Sequence, residues 1–333
     1  MTRTLSLLFF LVVTAVGVSA EQDPRYRAPR TESRQPDLQG VWNFNTAVPL
    51  QRPPSAAGKK LFTRDELEAR RASLQNVIGL IAKIAPVEAI GLDWMDNKVH
   101  VEDLRTSLIT YPENGRLPAA VEGVRRLPQA EDFIIALAEM KDGKVPPALG
   151  ALIAAFQGAR RDSYTDFMPS ERCLLDALVP MVPQLDENFV QIVQGPDHVV
   201  LITDYWRRII PLDGKPQVAD SLRTWPGTSR GRWEGETLVI ETRNFNDRQP
   251  SFAGVGTGRD KVVTERLTRT AANRIDYAAS VVDPKSFKDR IDLSFPMALV
   301  NAQIHENGCH EGNYSMRNSL SAARLADAKT PAK

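Results

Sequence analysis

Arg274-Ile275-Asp276-Tyr277-Ala278-Ala279-Ser280-Val281, followed by Ile291-Asp292-Leu293-Ser294-Phe295, decides the fold class of this chain. Ile275, Tyr277, Ala279 and Val281 fall on one side of a pleat, and Arg274, Asp276, Ala278 and Ser280 fall on the other. That period of two is the signature of a strand with one buried face. Ile291, Leu293 and Phe295 repeat it against Asp292 and Ser294.

Working outward, the same pattern holds from Asn188 onward. Val199 to Thr203 is an apolar, largely β-branched run suited to a strand buried on both faces. Trp206 to Leu212 ends at an Asp213-Gly214 turn, and Arg230 to Trp233 and Thr237 to Arg243 flank a turn at Gly235, with Leu238 and Ile240 on one face. Val263 to Arg269 reads as a further strand. Short strands joined by tight turns, with no helices between them, predict an antiparallel sheet. The expected class is mainly β with accessory helices, as a barrel or a sandwich, with a lipocalin-like barrel favoured.

The chain before Asn188 carries the helices. Thr63 and Glu66 form a T-x-x-E capping box, and Leu67, Leu74, Val77, Ile78, Ile81 and Ile84 follow at helical spacing until Pro86. Gln129 to Lys141 and Ala148 to Arg160 predict two more helices, separated by the break Asp142 to Pro147. Arg105 to Tyr111 is the one early strand candidate, and Tyr314 to Leu325 predicts a closing helix. The expected layout is a signal peptide over 1–20, a disordered lead-in over 21–36, a single β-rich domain over 37–325 with a helical insertion at about 61–161, and a disordered tail over 326–333.

Met1 to Ala20 has one positive charge at Arg3, an apolar run from Leu5 to Val18, and the small residues Val18-Ser19-Ala20 before Glu21. Those are the three regions of a cleavable secretory signal, so the chain is expected to be exported, periplasmic or secreted, with no membrane anchor after processing. Removing the signal takes away one of the 42 Lys+Arg and none of the 41 Asp+Glu, which leaves a mature chain near neutrality. A neutral chain lacks the excess of cations that nucleic acid or anionic lipid requires, so neither is an expected partner. Cys173 and Cys309 are the only cysteines. In an oxidising compartment a lone pair reads as one disulfide.

Ser170 to Leu174, Pro196 to Val200, Ile210 to Pro216, Gly227 to Leu238 and Cys309 to Tyr314 occur as five blocks in order. On these blocks the chain resembles a large family of exported bacterial proteins of uncharacterised function, over about Pro36 to Tyr314. The resemblance implies export and carries over no catalytic residues. The chain departs from that family in a longer stretch between Leu61 and Arg161 and in Lys215, where arginine is expected. Gly40-Val41-Trp42 near the mature N-terminus is similar to lipocalin-like barrels.

Several constellations could carry chemistry. Gly227-Thr228-Ser229-Arg230-Gly231 matches G-x-S-x-G, but Trp225-Pro226 precedes it and a strand hairpin follows, so the strand-turn-helix of a nucleophile elbow is missing. Ser229 reads better as a turn residue. The histidines of His305-Glu306-Asn307-Gly308-Cys309-His310 are five apart, which is not the same-face spacing of H-E-x-x-H, so no metal is expected. His310 and Glu311, beside the expected disulfide, suit general acid or base work, with Arg172 or Arg208 stabilising a developing anion. The structural alternative pairs Glu311 with Arg172. Glu265 shares a face with Val263 and Leu267: facing outward, the favoured reading, it is a surface charge, and facing inward it must be paired and marks a site. Trp206, Trp225 and Trp233 could line a pocket or simply pack in the core.

The expected function is an exported soluble protein that binds a small, partly apolar organic molecule and, if it is an enzyme, transforms it by acid/base chemistry without a cofactor. Two rivals stand beside it: an esterase-like hydrolase using Ser229, and an envelope interaction protein with an exposed apolar patch and no ligand cavity.

Overall fold

The computed structural model describes residues 26–73, 101–126, 162–167, 172–174, 179–183, 188–306, 308–309 and 314–329. The helices expected at Gln129 to Lys141 and Ala148 to Arg160, together with His310 and Glu311, lie outside the described residues.

The two strands read first, together with the one before them, form the two longest ladders. They are β8 (Val262–Ala271), β9 (Arg274–Val282) and β10 (Ile291–Val300). Their inward residues follow the period of two: Ile275, Tyr277, Ala279 and Val281 are buried, as are Ile291, Leu293, Phe295 and Met297. Before them come β1 (Gly40–Asn43), β2 (Ile109–Tyr111), β3 (Phe189–Gln194), β4 (His198–Ile202), β5 (Arg207–Pro211), β6 (Thr228–Glu234) and β7 (Thr237–Arg243). β6 turns into β7 through Gly235 at φ +62°, the positive φ that a two-residue hairpin needs at its first loop position.

One mainly antiparallel sheet results, with the path β5-β4-β3-β1-β10-β9-β8-β7-β6 and β2 paired to β10. β1 was not expected as a strand, because four residues are too few to show a period. It lies between β3 and β10 and joins the two halves of the sheet. β10 pairs with β2 at Asp292 and Leu293 and with β1 from Ala298 to Val300. Pro296, which has no N–H to give, falls between those pairings. Arg105 fills the same gap by donating to the Ser294 hydroxyl and carbonyl, each at 2.7 Å.

Every neighbouring pair on the nine-strand path is antiparallel, so its two end strands, β5 and β6, run the same way. No ladder joins them among the described residues, but they lie close: a Cβ added to Gly231 of β6 would meet Leu212 at 2.6 Å and Ile210 of β5 at 2.8 Å. The strands begin and end at two faces. The turn end carries the β3–β4, β6–β7 and β8–β9 turns. The loop end carries the β4–β5 turn, the starts of β6, β8 and β10, and the long connections.

Inward residues of all these strands form one apolar cluster. Phe44, Phe295 and Tyr277 stack in its middle, with ring centroids 5.7 and 4.7 Å apart. Residues 26–36, expected as a disordered lead-in, are ordered against the turn end. Gln35 donates to the Pro196 carbonyl at 2.9 Å, Arg30 pairs with Glu236, and Ala28 is buried. Partners far along the chain hold this stretch, which is why local periodicity does not signal it.

Among the described residues there are two α-helices, α1 over 64–73 and α2 (Ser315–Lys329). The capping box forms as expected: Thr63 Oγ1 accepts from the Glu66 N–H at 3.2 Å, and Glu66 accepts from the Thr63 N–H at 2.7 Å. Lys59 and that N–H hold the Glu66 carboxyl below its ordinary pKa. α2 runs past the expected end at Leu325 into the stretch expected as a tail. Cys173 and Cys309 form the expected disulfide, with Cα atoms 5.7 Å apart across 136 positions of sequence. In the chain-entropy model, closing a loop of that length stabilises by up to about 5 kcal/mol. No helix among the described residues is long and apolar enough to cross a membrane.

Candidate functional site

Glu265 stands on β8 between Val263 and Leu267, and all three are fully buried. The favoured expectation of an outward surface charge is therefore reversed. Its ladder neighbours are Ile240 and the small Ala279, and Arg208 reaches it from β5. Glu265 Oε2 accepts from Arg208 Nη2 at 2.6 Å, and Oε1 accepts from the Tyr277 hydroxyl at 2.8 Å. The Tyr277 oxygen in turn accepts from the Met181 N–H at 2.9 Å. A carboxylate without water survives only when paired and hydrogen-bonded, and both oxygens are engaged here. Burial, and then the Glu265 charge, push the Tyr277 hydroxyl well above its ordinary pKa. Tyr277 therefore keeps its proton and serves as a fixed donor.

Arg208 is 4% exposed and uses one of its nitrogens. Its Nε and Nη1 are buried with no hydrogen-bond partner, and so is the indole Nε1 of Trp206, which is 5% exposed. Trp206 and Arg208 are two residues apart and point to the same face at the start of β5, so their side chains are neighbours. The guanidinium carbon lies 5.5 Å from the centroid of the Trp206 ring. Three donors without a protein acceptor thus share one neighbourhood at the loop end. A buried donor left unmatched costs about 1–3 kcal/mol, more for a charged one. An oxygen atom brought there would remove that penalty.

The other residues singled out in the sequence are spread around the molecule. Arg172 sits between two rings, 5.6 Å from the centroid of Tyr164 and 5.7 Å from that of Trp225, next to the Cys173–Cys309 bridge. Trp225 precedes β6 at the loop end, whereas Trp233 lies near the β6–β7 turn at the opposite end, so the tryptophans do not line one pocket together. Ser229 is a strand residue paired with Thr242, and its hydroxyl meets the Thr242 hydroxyl at 2.9 Å rather than an imidazole. Among the described residues no group of three or more His, Cys, Asp and Glu could hold a metal ion.

No family model, curated protein or solved structure matches the chain. A hollow of about 460 Å³ lies outside the sheet, against α1, lined by Arg64, Glu68, Arg71 and Glu102 among others. Its walls are mostly charged and open to solvent, unlike the buried donors of β5. An outward apolar row, Val193-Val200-Ile209, crosses β3, β4 and β5, with Ile209 66% exposed.

Tyr277 and Met181 are the members of the buried network that the sequence did not single out. Tyr277 was legible as an inward residue of β9, and a hydroxyl at an inward position calls for a polar partner. Nothing local to Met181 signals that its N–H would supply one.

Proposed function

We propose that this protein is an exported, soluble binder of a small, partly apolar organic molecule, which docks an oxygen atom on Arg208 and Trp206 at the loop end of a sheet curled into a barrel. The observation that carries this reading is the set of three buried donors with no acceptor. The curl is supported by two contacts. Arg208 on the end strand β5 reaches Glu265 on β8, and Gly231 on the opposite end strand packs on Ile210 and Leu212. A nine-strand path with parallel end strands closes by packing across that seam rather than by a ladder. Aromatic side chains fill the middle, so the ligand is placed toward the loop end, beside Trp206. The signal-like front end and the disulfide support export.

The mature chain is screened by ligand-detected NMR against small ring compounds that each carry one oxygen acceptor. Trp206→Phe keeps an apolar ring and removes one donor. Hits are expected to bind this variant about 2- to 10-fold more weakly, the worth of one hydrogen bond. A screen with no hit that depends on Trp206 refutes the reading.

A further inference from the structure

We infer that the group docked on Arg208 and Trp206 is a neutral carbonyl oxygen, as in a ketone, ester or amide, and not a carboxylate or phosphate; this rests on the binding reading above. The positive charge of Arg208 is already matched, since Glu265 holds Nη2 at 2.6 Å and both side chains are at most 4% exposed. A second carboxylate would put two negative charges on one guanidinium without water. Burying a charge with no counter-charge is far more costly than leaving a neutral donor unmatched.

On Arg208, Glu265 and Trp206 themselves, the unused side-chain groups are all donors. Both Glu265 oxygens are engaged, by Arg208 and Tyr277, and the unused groups are Arg208 Nε, Arg208 Nη1 and Trp206 Nε1, all donors. An alcohol would bring a proton for which these three side chains offer no acceptor. A carbonyl oxygen brings two lone pairs and no proton, which suits a cluster of donors. The Trp206 ring beside the guanidinium supplies an apolar wall for the rest of the molecule.

Three probes of one size separate the possibilities: acetophenone, 1-phenylethanol and benzoate, each titrated into the mature chain at pH 7 and followed by tryptophan fluorescence. Acetophenone is expected to bind about tenfold more tightly than either of the others, by the charge and proton arguments above. In Glu265→Gln the guanidinium loses its counter-charge, and the order is expected to reverse in favour of benzoate. Benzoate binding most tightly to the unaltered protein, with dependence on Trp206, overturns the carbonyl assignment and leaves the binding reading standing. Failure of all three probes to bind overturns both. Where Glu265→Gln does not fold, the comparison on the unaltered protein decides alone.

Discussion

Removing either partner of the Arg208–Glu265 pair is expected to destabilise the protein unequally, and the inequality follows from the geometry. Glu265→Gln leaves the Arg208 charge buried with no carboxylate, while Nε and Nη1 stay unmatched. The full cost of breaking a buried pair applies, about 3–5 kcal/mol. Arg208→Met strands Glu265 with Tyr277 as its remaining donor, but it also deletes the two unmatched nitrogens. Each deletion returns about 1–3 kcal/mol, so the two together return about 2–6 kcal/mol and the net loss falls to about 3 kcal/mol or less. The double variant Arg208→Met, Glu265→Gln carries no charge at either position and is expected near the stability of the unaltered protein or above it. Urea unfolding of the oxidised mature chain, followed by tryptophan fluorescence and far-UV circular dichroism, measures all four corners of the cycle. An Arg208→Met loss equal to or larger than that of Glu265→Gln would mean that the two nitrogens are satisfied, and the argument for an acceptor site would fail with it.

Two further outcomes are expected. Gly231→Ala places a methyl group 2.6 Å from Leu212 and 2.8 Å from Ile210 across the β5–β6 seam. It should lower stability by about 1–3 kcal/mol, with partial recovery when Leu212→Ala is added, and a neutral result would mean that the seam is loosely packed. Tyr277 holds its proton more tightly folded than unfolded. Its contribution is thus present below the unfolded pKa near 10 and is lost as pH rises toward the folded value, by up to about 1.4 kcal/mol per pH unit. Urea midpoints between pH 8 and 11 should show the gap between the unaltered protein and Tyr277→Phe narrowing above pH 10, and a constant gap would contradict the raised pKa.

Much of the fold was legible along the chain. Alternation in 274–282 and 291–295 marks the two central strands, because a one-residue slip would turn every buried side chain to water. The Thr63–Glu66 box was equally local, since both its hydrogen bonds close within three residues. The cysteine pairing followed from there being no competing thiol. The short strand β1 and the ordered stretch 26–36 were not legible, because their partners lie more than a hundred residues away.

The sequence by itself determined that Glu265 sits in register with Val263 and Leu267, and that Trp206 and Arg208 share a face. Tertiary structure alone decided which way those faces point and what meets across them. Strand periodicity specifies that two faces differ without saying where a third strand will bring its charge, so the Arg208–Glu265 contact, 57 residues apart, arises only once the chain has folded. The unmatched donors beside that contact are likewise a property of the folded chain, since a donor is unmatched only when folding has removed its water.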